Sequence, residues 1–100
     1  MGARTSISFK NGKEESITLF SHWGGDEFPM KAIRYAEKLM KAKKGKQFSP
    51  IDRLEPNTVM VDFIREITKN LEEVDGDLYL GKDQYDGDNS DYGHHIIKLT

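Results

Sequence analysis

Cysteine is absent from this sequence of 100 residues, and its apolar runs are only two or three residues long. Without cysteine the chain has no disulfide framework, no thiol nucleophile and no thiolate zinc site. Runs this short fall far below the roughly 20 apolar residues that a membrane-spanning helix needs. Residues 1–5 contain no apolar segment of the kind found in a secretory signal. We therefore expect a single domain, residues 1–100, in the cytoplasm and not in a membrane.

Charge is abundant but unevenly distributed along the chain. Residues 1–53 contain eleven Lys or Arg and six Asp or Glu, whereas residues 54–100 contain four and eleven. The basic excess is a lysine run in residues 38–46, which lacks arginine and aromatic residues, and the sequence pI is about 5.9. Lysines at the end of a helix complement its dipole, and a nucleic-acid-binding domain is normally basic overall. Nucleic acid is therefore not an expected partner.

The first third of the chain is typical of a β-hairpin. Residues 5–10 alternate polar and apolar side chains, Asn11-Gly12 is a strong turn signal, and residues 16–22 form the return strand. A two-residue turn at Asn11-Gly12 places Ile7 opposite Ser16, which sets an apolar side chain against a polar one. Pairing Ile7 with Leu19 matches the two faces. We therefore expect either a longer loop over residues 11–15 or a bulge.

Two helices follow the hairpin. Asp26 is a good N-cap for the first, which ends near residue 44 before Gly45. Residues 45–57 form a connector, with a short turn at 51–54. The second helix begins at Pro56 or Asn57, ends near Leu71 and has the clearest helical periodicity in the chain. The residues that we expect in the core are Ile33, Leu39, Phe63, Ile64, Ile67, Ile97 and Leu99.

The last quarter of the chain contains two more strands, at residues 78–80 and 94–100, separated by a polar loop. The element order is therefore ββααββ. This order predicts an α+β two-layer sandwich, with a four-stranded antiparallel sheet and two helices on one of its faces.

The loop of residues 82–93 is the first candidate site, because it is rich in short oxygen-bearing side chains. Ca²⁺ takes six to eight oxygen ligands, which such side chains supply. An EF-hand pattern that starts at Asp86 fails at Asp91, where glycine belongs, and at Ile97, where glutamate belongs. The alternative is a solvated connection made of turn-forming residues. The sequence predicts at most a weak calcium site, with the ligands Asp83, Asp86, Asp88 and Asp91.

Ser21 to Asp26 is the second candidate site, at the junction of a strand and a helix. Its glycine pair predicts a sharp structural turn, with Asp26 as the cap and Trp23 covering the edge of the core; the alternative is a binding mouth that includes His22 and Trp23. His94 and His95 are neighbours on a strand and point to opposite faces, so they cannot hold one metal side by side. Either one meeting His22 and an aspartate in space would assemble a hydrolytic metal site.

The chain lacks the nucleophile elbow, the Walker loop, the Rossmann glycines and the HExxH motif. The sequence therefore favours a small non-catalytic binding module without a cofactor, which contacts a protein or a small molecule. The alternative is a small metal-dependent hydrolase that uses histidines and aspartates. The residues that we expect to contact the partner are His22, Trp23, Tyr85, Tyr92 and His94.

Overall fold

The computed structural model describes residues 2–44, 54–71 and 76–99, and it confirms the α+β class and the order of elements. Residues 51–53 of the connector turn predicted at 51–54 lie outside these residues. No helix in the described ranges has the length and apolar character needed to cross a bilayer. The elements are β1 (Thr5–Asn11), β2 (Glu14–Glu15), β3 (Thr18–Ser21), α1 (Glu27–Lys44), α2 (Pro56–Thr68), β4 (Leu78–Gly81) and β5 (His94–Lys98).

The hairpin combines a tight turn with a bulge, which resolves the conflict of register seen in the sequence. Lys10 pairs with Glu15 near the turn, but Ile7 pairs with Leu19 further along, so the return strand gains one residue. The bulge is formed by Ser16 and Ile17, between the two paired segments, and the Ser16 N–H donates to Phe9 O at 2.8 Å. The bulge keeps both apolar sets on one face of the sheet, and the predicted pairing of Ile7 with Leu19 is confirmed.

The sheet differs from the prediction in the direction of one strand. Its order is β4-β3-β1-β5, with β2 extending the β3 side of β1. β5 runs parallel to β1, with pairs from Ser6 and His94 to Lys10 and Lys98, whereas the other pairings are antiparallel. Parallel neighbours need a long crossover. The loop 82–93 provides it, because it carries the chain from the far end of β4 back to the level at which β1 begins.

The main core lies between the helices and one face of the sheet. Phe63 of α2 is fully buried, with its ring 5.5 Å from that of Phe9 and 5.2 Å from that of Tyr35. Leu39, Phe63, Ile97 and Leu99 are buried as predicted, and Ile64 and Ile67 are partly buried. Ile33 is an exception, because 39 % of it is exposed on the flank of α1 that lies beside β5.

The loop 82–93 covers the second face of the sheet. A Cβ atom built on Gly87 would come within 2.8 Å of the Tyr79 hydroxyl and 2.9 Å of the Phe20 ring. Tyr79 stacks on Phe20 with centroids 4.9 Å apart, and its hydroxyl accepts the Asp88 N–H at 3.0 Å. Asn89 Nδ2 donates to Ser6 Oγ at 2.8 Å. The loop is therefore a packed layer that buries the polar side of β1, not a solvated connection.

Candidate functional site

The turn between β3 and α1 is held by hydrogen bonds before and after Trp23. Asp77 accepts the Trp23 N–H at 2.8 Å through Oδ1 and the Ser21 hydroxyl at 2.9 Å through Oδ2. Ser21 Oγ in turn accepts the Gly24 N–H at 2.8 Å. Gly25 has φ +58°, a backbone conformation that favours glycine, and its N–H donates to Ala3 O at 2.9 Å. The backbone that carries Trp23 is therefore fixed by its neighbours.

Trp23 projects from this turn into solvent, with 65 % of the residue exposed. It borders a cleft of about 510 Å³ that is also lined by Gly2, Arg4, His22 and Gly76. The His22 ring lies 4.9 Å from the Tyr79 ring and 5.8 Å from the Trp23 ring, measured between centroids. The structure thus brings His22 and Trp23 together at one opening. We call this opening the Trp23 cleft.

Arg4, which the sequence did not single out, joins the Trp23 cleft to the loop. Its Nη1 lies 2.7 Å from Asp88 Oδ2, and its Nε lies 2.9 Å from Asp91 Oδ2. Asp91 also accepts the Arg4 backbone N–H at 3.0 Å, and Asp88 accepts the Ser90 N–H at 3.0 Å. These backbone hydrogen bonds, followed by those to side chains, lower the pKa of both carboxyl groups. The guanidinium and the two carboxylates fasten the loop to the start of β1.

The four loop aspartates do not converge on one point. Asp88 and Asp91 bind Arg4, whereas Asp83 accepts the Tyr85 N–H at 2.9 Å and Asp86 accepts the Lys82 N–H at 3.0 Å. Within the described ranges, no group of three or more His, Cys, Asp or Glu residues is arranged to hold a metal ion. A short aspartate reaches the nearest free N–H of its own turn. The arrangement gives no support to a calcium site on this loop.

His94 lies beneath the loop, not on a contact surface as the sequence suggested, and only 5 % of its side chain is exposed. Its Nδ1 lies 2.8 Å from Ser6 Oγ and its Nε2 lies 3.1 Å from Ser8 Oγ. Ser8 donates to Glu15 at 2.7 Å, and Asn89 donates to Ser6. A neutral His94 with its proton on Nε2 satisfies the whole chain of hydrogen bonds. Burial lowers the pKa of His94, which favours this neutral form.

The physical reason for this misplacement is the direction of β5. Because β5 is parallel to β1, His94 is a neighbour of Ser6 and faces the same side of the sheet, which the loop covers. The serines themselves alternate with apolar residues along β1, a pattern typical of a solvent-facing side. The only signal of burial in the sequence was the unusual length of the loop.

The three histidines have separate surroundings. His22 lies beside Trp23, His94 lies among the buried serines, and His95 Nε2 lies 2.9 Å from Tyr92 O. Ser8, although it is next to a histidine, is fully buried and out of reach of a substrate. The constellation that the hydrolase alternative requires is therefore not assembled in the described part of the chain.

The two remaining candidate contact residues differ in position. Tyr85 is the most exposed aromatic residue in the described ranges, at 84 %, and lies on the loop close to Asp83. Tyr92 is half-exposed and borders the Trp23 turn, since its ring is 3.8 Å from a Cβ built on Gly25. Tyr92 therefore lies beside Gly25 of this turn but does not line the Trp23 cleft, and nothing in the described contacts joins Tyr85 to either. Searches of protein-family models, curated proteins and solved structures found no match to this chain.

Proposed function

We propose that this protein is a non-catalytic interaction module and that the Trp23 cleft is its contact site. The observation that carries the proposal is an indole exposed to 65 % on a turn whose backbone is already fixed. Large aromatic residues dominate the binding energy of many interfaces. An anchor that is held in place before binding also loses little conformational entropy when a partner arrives.

The residues around the cleft support a mainly apolar contact with a polar rim. Trp23 and His22 supply aromatic surface, while the charge of Arg4 is already balanced by Asp88 and Asp91. Among its described lining residues, the cleft therefore offers no free cation for a phosphate backbone. A peptide or small molecule with an apolar group that stacks on the indole fits this chemistry best.

A cytoplasmic location is part of the proposal. The chain has no cysteine, a composition that fits a reducing compartment, where disulfides are rare.

The test is a selection of peptides from a displayed random library against the immobilised protein. Selected peptides are labelled, and their affinities for wild type and variants are measured by fluorescence anisotropy. We expect Trp23→Ala to weaken binding by about tenfold or more, a loss typical of an anchor residue. Val61→Ala is the matched control, because Val61 is equally exposed but lies on α2 and does not line the cleft.

The thermal melting temperatures of both variants are measured alongside, so that loss of binding is separated from loss of folding. The proposal fails if no peptide is selected, or if the selected peptides bind Trp23→Ala as tightly as wild type.

A further inference from the structure

The hydrogen bonds around His94 form a relay whose direction is set by Glu15. A carboxylate only accepts hydrogen bonds, so the Ser8 hydroxyl donates to Glu15 at 2.7 Å and the Ser8 oxygen is left to accept. His94 Nε2 lies 3.1 Å from that oxygen and therefore carries the proton, which leaves Nδ1 as an acceptor. Ser6 Oγ, 2.8 Å from Nδ1, donates to it. The relay thus runs in one direction, from Ser6 through His94 and Ser8 to Glu15.

The loop 82–93 is joined to the Ser6 end of this relay. Asn89 Nδ2 donates to Ser6 Oγ at 2.8 Å and to Gln84 O at 3.1 Å. The second bond fixes the orientation of the amide, because a flipped Asn89 would bring its own oxygen against the Gln84 carbonyl oxygen. Asn89 is therefore a donor to Ser6, which suits a Ser6 hydroxyl whose hydrogen points at His94.

A second proton on His94 would reverse the bond between His94 and Ser6. Nδ1 then becomes a donor, so donors approach Ser6 Oγ from both His94 and Asn89, and the Ser6 hydrogen loses its acceptor. Only 5 % of the His94 side chain is exposed, and Ser6 is fully buried. A buried donor without an acceptor is costly. Lifting the loop removes this cost, because it gives both side chains access to solvent.

We propose that the loop 82–93 is an acid-sensitive cover, which closes over the sheet when His94 is neutral and opens when His94 takes up a proton. Opening uncovers the serines of β1 and the Phe20 ring on which Tyr79 stacks. The cover does not depend on the function proposed for the Trp23 cleft, because neither His94 nor Asn89 lines that cleft.

The charged groups near His94 set the direction of the pH effect. Burial has the largest influence on the pKa of His94 and lowers it, Glu15 of β2 raises it from 3.8 Å away, and the neighbouring His95 lowers it. Glu37 belongs to α1, which packs on the opposite face of the sheet. The closed loop holds a histidine of lowered pKa, so it is favoured above pH 6.5 and loses its advantage as the pH falls below that value.

Arg4 makes the opening reversible. Asp88 and Asp91 of the loop both pair with Arg4, which comes from the residue before β1. Hydrogen bonds from backbone N–H groups, together with Arg4, lower the pKa of both carboxyl groups, so they stay ionised in weak acid. The long side chain of Arg4 can follow the backbone of the loop. It therefore keeps the loop tethered while the centre of the loop is lifted.

The test is amide hydrogen exchange of the full chain from neutral to weakly acidic pH, at several urea concentrations. The Asp88 and Gly93 amides report on the loop, because they donate to the Tyr79 hydroxyl and to Asn89 O. We expect their protection factors to fall by up to about tenfold per pH unit below 6.5. This fall should be nearly independent of urea, since lifting a loop exposes little surface, whereas exchange in β1 requires global unfolding and accelerates with urea.

His94→Gln keeps a donor and an acceptor but does not titrate, so it should abolish the fall. His95→Gln is the matched control, because His95 is the next residue of β5 but bonds to Tyr92 O outside the relay; it should leave the fall unchanged. Asn89→Asp is a second variant that should abolish the fall, because its carboxylate accepts the Ser6 hydroxyl when His94 is protonated. Circular dichroism identifies the variants that fold.

The proposal is overturned if the protection of Asp88 and Gly93 does not change with pH in the wild type. It is also overturned if their protection falls only together with that of β1 and with the same dependence on urea. A fall that persists unchanged in a folded His94→Gln or Asn89→Asp variant would show that the relay does not control the loop.

Discussion

Substitution of Gly87 by alanine distinguishes a packed loop from a solvated one, because it should change the free energy of unfolding in opposite directions in the two cases. The φ of Gly87 lies outside the left-handed region, so alanine fits its backbone. On a solvated loop the change would stabilise the fold by about 0.4–1 kcal/mol, because it restricts the unfolded chain. In this structure the new methyl group meets the Tyr79 hydroxyl and the Phe20 ring at distances below 3.0 Å. Those two rings stack on each other, so neither can move aside freely.

We therefore expect Gly87→Ala to lower the free energy of unfolding by about 1–3 kcal/mol, the usual cost of overpacking. For a domain of this size each kcal/mol lowers the melting temperature by about 4–8 °C. Urea denaturation followed by circular dichroism gives the value. Tyr79→Leu removes the stacked ring, so Gly87→Ala should cost less in that background. A stabilising effect of Gly87→Ala in the wild-type background would refute the packed-loop interpretation.

Three further predictions concern the core, the buried histidine and the loop anchor. Phe63→Ala should lower the free energy of unfolding by about 3–5 kcal/mol, because Phe63 is fully buried; a loss below about 1 kcal/mol in urea denaturation would contradict its place in the core. The folded pKa of His94 is lowered from 6.5, so the unfolded chain binds a proton first. The contribution of His94 to the free energy of unfolding should therefore be fully present above pH 6.5 and be lost as the pH falls below that value. His94→Gln should remove most of this pH dependence in melting curves taken at several pH values. Arg4→Met should accelerate hydrogen exchange of the Tyr92 amide, which bonds to Arg4 O, while core amides stay protected; unchanged exchange at Tyr92 would show that the ion pairs do not anchor the loop.

The spacing of apolar residues along the sequence predicted the helices and the hairpin well. The helical periodicity placed α2 correctly, since Phe63 reaches the core, although the helix ends at Thr68 and not near Leu71. The requirement that Ile7 face an apolar residue predicted its pairing with Leu19, and the structure meets it by a bulge. In both cases the signal lies within a few residues and rests on which face is buried.

The site was predicted less well, because it depends on where distant segments meet. Trp23 and His22 were found from their turn, but Arg4 and Asp77 reach that turn from far along the chain. His94 was assigned to a contact surface because strand direction cannot be read from the sequence of a strand. Because β5 runs parallel to β1, the loop 82–93 crosses over the sheet and buries His94. The aspartates of this loop accept hydrogen bonds that hold the loop in place.

Both the proposed contact site and the packed loop require that the Trp23 turn and the loop 82–93 are already ordered without a partner. Backbone ¹⁵N relaxation of the free chain measures this directly, as order parameters for residues 22–25 and 84–91 beside those of β1. We predict values of about 0.85 in all three segments, as for rigid backbone. Values below about 0.6 in the turn or the loop, with β1 still rigid, would contradict the claim.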